Sequence, residues 1–310
     1  MFNVSRKVTQ AMHVAVLKGG WSAEREVSLS SGAAVAKACV ALGHKVTEID
    51  VTPDIAAELA KVKPDVVFNA LHGRFGEDGC VQGILEVLKI PYTHSGVLAS
   101  ALAMDKPMAK QIFATVGIPC AVGGTYHKDQ VIGHDVMPRP YVVKPANEGS
   151  SVGVKLVFEN DNFFFSKENW PYGETVMVEK YVAGREITVA VLDDKPLGVI
   201  EITTKSGFYD YDNKYTEGGS THICPAPLPK DKYDEVMNLA LVAHRALGCR
   251  GLSRSDFRYD EKGDGKFYIL ETNTQPGMTP LSLSPEIAGL AGMDFNALVK
   301  RLLDGARLDG

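Results

Sequence analysis

The chain has 310 residues, 45% of them hydrophobic, and a formal net charge of −5. This is enough apolar material for roughly two or three domains with their own cores, and the charge is too mild, with no long basic run, for a nucleic-acid surface. Cys39, Cys80, Cys120, Cys224 and Cys249 are dispersed without a C-x-x-C pair, which reads as reduced thiols, not a disulfide framework. No segment reaches the roughly 18 apolar residues of a membrane helix. Arg6 and Lys7 lead into no apolar stretch long enough for a signal peptide, so a soluble, cytoplasmic protein is expected.

The N-terminal third alternates strand and helix patterns. His13–Leu17 reads as a buried strand, closed by a Gly19-Gly20 turn. Ser28–Leu42 has Ala and Val at helical spacing, with Ser28 as candidate N-cap and Gly43 as stop signal. Lys45–Val51 is the next strand, Ile55–Lys61 a helix and Asp65–Ala70 a third strand. The glycine-rich loop 71–79 and a helix over Val81–Lys89 follow. Such alternation indicates a doubly wound parallel sheet, which binds ligands outside the carboxyl ends of its strands. Both glycine loops, 19–25 and 71–79, belong at that edge.

The middle of the chain changes character. Ser100–Val116 reads as one helix carrying Met104-Asp105-Lys106. Tyr141–Pro145 and Val152–Val157 read as a hairpin around a glycine/serine loop with Lys144 at its entrance. Thr175–Tyr181 is a strand containing Glu179-Lys180. Glu186–Leu192 and Pro196–Thr203 alternate like antiparallel strands. Residues 206–222 are polar, aromatic and glycine-dotted; a loop this long in a compact protein is commonly a lid. Lys232–Leu247, Ser284–Gly292 and Asp294–Leu303 have helical patterns.

Two acidic patterns near the end carry the clearest chemistry, Arg254-Ser255-Asp256 and Glu271-Thr272-Asn273. Side chains two apart on a strand share a face, and the intervening 261–265 segment is a turn signal. A turn of about six residues over 261–266 places Asp256 opposite Glu271 in an antiparallel hairpin. Two carboxylates and an amide oxygen then converge, with a guanidinium beside them. Like charges that close repel unless a cation lies between them. All-oxygen donors suit a hard ion such as Mg2+, usually held together with substrate phosphates.

Other positions admit two readings on residues alone. The loop after Lys144 lacks G-x-x-x-x-G-K-[ST]; it is either a phosphate cover or an ordinary turn with a surface lysine. Glu24 either binds an ammonium group or favours a helix N-terminus. His72 is either structural or a pocket residue at the sheet's carboxyl edge. Gly277 either ends the hairpin in a proline–glycine turn or offers its N–H to an oxyanion, and can do both.

The ordered set is more specific than its parts. It comprises Gly19-Gly20-x-Ser22-Ala23-Glu24-Arg25-Glu26-Val27-Ser28, Leu71-His72-Gly73-x-x-Gly76-Glu77-Asp78-Gly79 and Met104-Asp105-Lys106. It continues with Lys144-Pro145 and Glu148-Gly149-Ser150-Ser151-Val152-Gly153, then Phe208-Tyr209-Asp210-Tyr211 with Lys214-Tyr215, and Glu271-x-Asn273-x-x-Pro276-Gly277-Met278-Thr279. From about residue 12 to 305 the chain resembles the D-alanine–D-alanine ligase family of the ATP-grasp superfamily. The resemblance implies a three-domain α/β architecture: an N-terminal doubly wound domain over 1–103, a central subdomain over 104–184 and a C-terminal subdomain over 185–310, with ATP between the last two. It implies ATP-dependent joining of two D-alanines through an acyl phosphate, for peptidoglycan synthesis.

By matched position, Glu24 would bind the first ammonium and His72 would border its pocket. Glu24, Ser150 and Tyr215 would tie the lid. Lys106, Lys144 and Lys214 would contact ATP phosphates, with Ser150, Ser151 and Phe208 also at the nucleotide. Glu179, Lys180, Val182 and Glu186 would hold adenine and ribose. Asp256, Glu271 and Asn273 would carry two Mg2+ (or Mn2+) ions. Arg254 and the Gly277 N–H would face the oxyanion, and Ser282 with Leu283 the second carboxylate. The resemblance also implies a homodimer, and no nucleic-acid or membrane partner. Pro280-Leu281 and Ser255 depart from residues familiar in the family. A D-alanine–D-lactate ligase, another carboxylate–amine ligase and an inactive nucleotide-binding protein are the competing readings; Tyr215 argues against the first, the Ser22-Ala23-Glu24 loop and Lys214-Tyr215 against the second, and the intact Arg254, Asp256, Glu271 and Asn273 against the third.

Overall fold

A computed structural model describes residues 11–147, 153–204 and 220–309. It contains three sheets. The first is parallel, in the order β2-β1-β3, from β1 (His13–Lys18), β2 (Lys45–Asp50) and β3 (Val66–Asn69). The apolar run Val14–Leu17 is wholly buried, as expected of a strand covered on both faces. Helices α1 (Arg25–Ala41), α2 (Ile55–Val62) and α3 (Cys80–Leu88) connect and flank these strands.

Helix α1 starts at Arg25, three residues before the expected Ser28 cap. Ser28 already accepts a helical bond geometry, its N–H donating to Glu24 O at 3.0 Å. Its hydroxyl instead donates to Ala70 O at 2.8 Å, pinning the helix to the end of β3. The guanidinium of Arg25 holds Gly20 O and Asp50, which fixes the Gly19-Gly20 turn. Both glycines have φ near +73°, and a Cβ on Gly19 would collide with Asp50.

The single helix expected over 100–116 is two, α4 (Val97–Met104) and α5 (Lys106–Thr115). Asp105 leaves helical geometry and caps α5 by accepting from Met108 N–H at 3.0 Å; Pro107 fits the first turn, where no N–H is needed. This break turns Lys106 into the site described below.

The second sheet is antiparallel, in the order β4-β7-β5-β6, from β4 (Gly123–His127), β5 (Tyr141–Lys144), β6 (Lys155–Val157) and β7 (Thr175–Lys180), with the short α6 (Lys128–Val131) beside it. β4 is an edge strand of half-exposed residues, so its sequence has no buried run to announce it. The third sheet, β10-β9-β8-β11-β12, is built from β8 (Arg185–Leu192), β9 (Lys195–Thr204), β10 (Ser220–Ile223), β11 (Leu252–Tyr259) and β12 (Phe267–Asn273). The first three residues of β10 fall in the 206–222 segment expected to be loop. Helices α7 (Lys230–Ala246) and α8 (Leu283–Leu290) cover this sheet.

Helix α9 (Phe295–Asp304) packs on α1, although the two lie at opposite ends of the chain. One core runs from Val14, Val35 and Phe68 through Ala190, Leu192 and Ile200 to Ile287, Leu298 and Leu302. The first and third sheets therefore share buried apolar surface. That places the carboxyl edge of β1 and β3 against the end of β12. No helix among the described residues is long and apolar enough to cross a membrane.

Candidate active site

The hairpin β11–β12 forms with Asp256 opposite Glu271 and Arg254 opposite Asn273. The route differs from the expected one. Tyr259 pairs with Phe267, so the turn spans 260–266, and an irregularity at Leu270 restores the expected pairing. Such a bulge re-aims the side chains beyond it. Asp256 is 7% exposed. Its carboxylate accepts from Arg254 at 2.8 and 3.0 Å and from Thr188 Oγ1 of β8 at 2.8 Å. Glu271 lies 3.3 Å from Lys106 Nζ, across from the α4–α5 break. Asn273 Oδ1 accepts from Gln275 N–H at 2.7 Å.

Beyond β12 the chain turns at Gly277, where a Cβ would lie 2.8 Å from Ser282 Oγ. Ser282 occupies the N-cap of α8, and its Oγ accepts from Thr279 N–H at 2.9 Å. A helix N-terminus favours a negative ligand group.

The N-terminal sheet supplies the opposite wall. Glu24 is 8% exposed, with its carboxylate lying against Gly73. Ser22 Oγ donates to His72 O at 2.7 Å, joining the two glycine loops. The His72 ring lies between Glu77 Oε1 at 3.2 Å and Ser31 Oγ at 3.0 Å. Burial pushes the Glu77 carboxyl above its usual range; the His72 hydrogen bond opposes this, and the charge of Glu24 adds to it. Met278 N–H donates to Ser31 Oγ at 3.2 Å, connecting this wall to the turn after β12.

A cavity of about 590 Å³ opens between the walls. Of the expected residues, it is lined by Glu24, His72, Lys106, Arg254, Glu271, Asn273, Gly277, Ser282 and Leu283. Glu26, Val27 and Ser30 also line it; they form one face of α1 and could have been found by helical spacing from Glu26.

Asp256, Lys144, Glu179, Lys180, Val182 and Glu186 lie outside this lining. Glu179 is 3% exposed and sits between Lys144, at 2.6 Å, and Lys110. Burial alone would raise its pKa, but the two lysines outweigh burial and hold it below the usual range. Burial and the neighbouring Lys144 lower that of Lys110. Glu186 pairs with Arg258 at 3.3 Å, and Arg258 also donates to Val182 O and Gly184 O. Lys180 is exposed, with its backbone N–H on Val122 O. Lys106 N–H donates to Ala146 O, joining α5 to the loop after β5. Lys110, Thr188, Arg258 and Gln275 were not anticipated. Ser150, Ser151, Phe208, Lys214 and Tyr215 lie outside the described residues.

Comparison with known proteins agrees with this arrangement. Family models described as the D-ala D-ala ligase N-terminus and C-terminus match residues 54–95 and 126–304. A D-alanine–D-alanine ligase of Parvibaculum lavamentivorans is 55% identical over 307 residues, covering 97% of this chain and 100% of that protein. One from Methylocella silvestris is 55% identical over 303 residues, covering 96% and 99%. The crystal structure of the Bacillus anthracis D-alanine–D-alanine ligase complexed with ATP superposes with a TM-score of 0.80 at 30% identity, covering 95% of this chain and 97% of that one.

Proposed function

Because this chain belongs to the D-alanine–D-alanine ligase family, we propose that the residues of the two facing walls divide the steps of that family's reaction between them. The protein has the ATP-grasp fold and catalyses ATP-dependent ligation of two D-alanines to D-alanyl-D-alanine, with release of ADP and phosphate, for peptidoglycan synthesis. A carboxylate is a poor electrophile. Its oxygen therefore attacks the γ-phosphorus of ATP, ADP departs, and an acyl phosphate forms. The second amine then attacks the acyl carbon, and phosphate leaves the tetrahedral centre.

In our reading Glu24 holds the first ammonium, with His72 at the pocket's edge. Arg254 and the Gly277 N–H stabilise the oxyanion, and Ser282 with Leu283 receives the second carboxylate. Lys106, Lys144 and Lys214 meet the phosphates, beside Ser150, Ser151 and Phe208. Glu179, Lys180, Val182 and Glu186 serve adenine and ribose. Ser150 and Tyr215 close over Glu24. The donor set of Asp256, Glu271 and Asn273, all oxygen and on one face of a hairpin, fits Mg2+ or Mn2+. When bound, two such ions would neutralise charge on the triphosphate.

We divide the chain at 1–103, 104–184 and 185–310, and propose a cytoplasmic homodimer. Exposed Val87 and Leu98, on the adjacent helices α3 and α4, support a dimer surface on the N-terminal unit.

The observation that supports these roles best is a single cavity shared by Glu24 and His72 on one wall and Arg254, Glu271, Asn273 and Gly277 on the other. The test is phosphate release from ATP and Mg2+ with a panel of D- and L-amino acids and D-lactate. Release confined to D-alanine, with the dipeptide as product, is expected. Faster joining of D-alanine to D-lactate at neutral pH would refute the substrate assignment.

A further inference from the structure

β3 ends at Asn69, and Gln275 lies just past the end of β12. Their side-chain amides meet in the interior: Asn69 is fully buried and Gln275 is 2% exposed. Asn69 Nδ2 donates to Gln275 Oε1 at 2.8 Å and to Gly76 O at 3.0 Å, and Asn69 Oδ1 accepts from Leu71 N–H at 3.2 Å. Gln275 Nε2 donates to Leu71 O at 2.5 Å. The backbone N–H of Gln275 is the donor held by Asn273 Oδ1. An N–H needs an acceptor, so this contact sets which way the Asn273 amide points: oxygen toward Gln275, nitrogen away.

These bonds belong to no strand ladder. They connect the loop that carries His72 to the strand end that carries Asn273 and Gly277. Buried amides with their partners satisfied are rigid, and each is costly to leave half-made. A pair that only satisfied two strand ends would have no reason to reach Leu71 O and Gly76 O, on either side of His72.

We infer that Asn69 and Gln275 are positioning residues for ligation, setting the first D-alanine's pocket against the oxyanion donors. This rests on the roles proposed above for His72, Asn273 and Gly277. The lysines and the adenine- and ribose-binding groups assigned to ATP lie on other elements, so neither residue bears on binding of metal-free ATP.

The test uses the full chain with Asn69→Leu, Gln275→Leu, the double variant and the milder Gln275→Met. Each single leucine strands a buried partner and lowers Tm. The double removes both partners and regains part of that Tm, because paired apolar replacement is less costly than an orphaned amide. The kcat/KM for D-alanine is expected to fall about 10- to 100-fold in the singles and to stay low in the double. The Kd for ATP without added metal, by equilibrium dialysis, stays at the wild-type value. Recovery of D-alanine kinetics together with Tm in the double would overturn the inference. So would wild-type D-alanine kinetics in folded Gln275→Met, or a Kd for ATP that moves in parallel. Wild-type protein that releases no phosphate with D-alanine would instead overturn the functional reading itself.

Discussion

Lys110→Met is the most informative single change outside the cavity. Glu179 is almost fully enclosed and has two cations, Lys144 at 2.6 Å and Lys110. If Lys144 turns to an ATP phosphate, Lys110 remains as the counter-ion and Glu179 stays paired. Without Lys110, the same movement strands a buried carboxylate, at a cost of about 3–5 kcal/mol. ATP affinity should therefore fall by about 100- to 4,000-fold, while the apo protein, still paired through Lys144, loses less.

The pH dependence follows from the same pairing. In the variant with ATP bound, burial acts on Glu179 with less opposition, so its pKa rises and protonation relieves the stranded charge. Affinity should recover as pH falls, a trend much weaker in wild type, where Lys110 still pairs with Glu179 after Lys144 turns away. Lys110→Met combined with Glu179→Gln should restore much of the binding. Isothermal titration with ATP and Mg2+ across pH measures all of this. A Kd for Lys110→Met within about three-fold of wild type would refute the argument.

Asp256→Asn and Glu271→Gln should each remove most phosphate release and weaken Mn2+ binding measured by electron paramagnetic resonance; near-normal turnover in either would sink the metal assignment. Burial lowers the pKa of His94 to about 3, below its unfolded value of about 6.5. Between those values the unfolded state binds more protons, so as pH is lowered stability should fall by up to about 1.4 kcal/mol per unit. Urea midpoints across that range check this, and His94→Gln should flatten the slope. Leu302→Ala, at a position 2% exposed between α9 and its neighbours, should cost about 2–5 kcal/mol in urea unfolding. A loss within the error of the measurement would refute the shared core.

The parallel N-terminal sheet and the β11–β12 hairpin are legible because their signals are local: buried apolar runs, period-two faces and a turn-rich gap. Asp256 opposite Glu271 was read correctly from a turn one residue too short, since the irregularity at Leu270 compensates. The α4–α5 break is not expected from periodicity, which continues through Asp105-Lys106-Pro107, although Asp followed two residues later by Pro is a cap signal. β4 was missed because a half-exposed edge strand has weak patterning. The Lys110–Glu179 pair spans 69 residues and Asn69–Gln275 spans 206. No sequence window contains such partners, and only the completed fold brings them together.

The shared core also has a consequence for synthesis. Val35 and Cys39 on α1 share one core with Leu298 and Leu302 of α9, which packs on α1. Ser31 meets Met278 only 247 residues further along. At about 5–20 residues per second, that interval lasts on the order of 10–50 s on the ribosome. Through that time the first parallel sheet is made but lacks one of its walls. Until then the face of α1 that α9 covers is open to other apolar contacts. Shortening the protein within 295–304 should expose α1, far away in sequence, before it disturbs anything nearby.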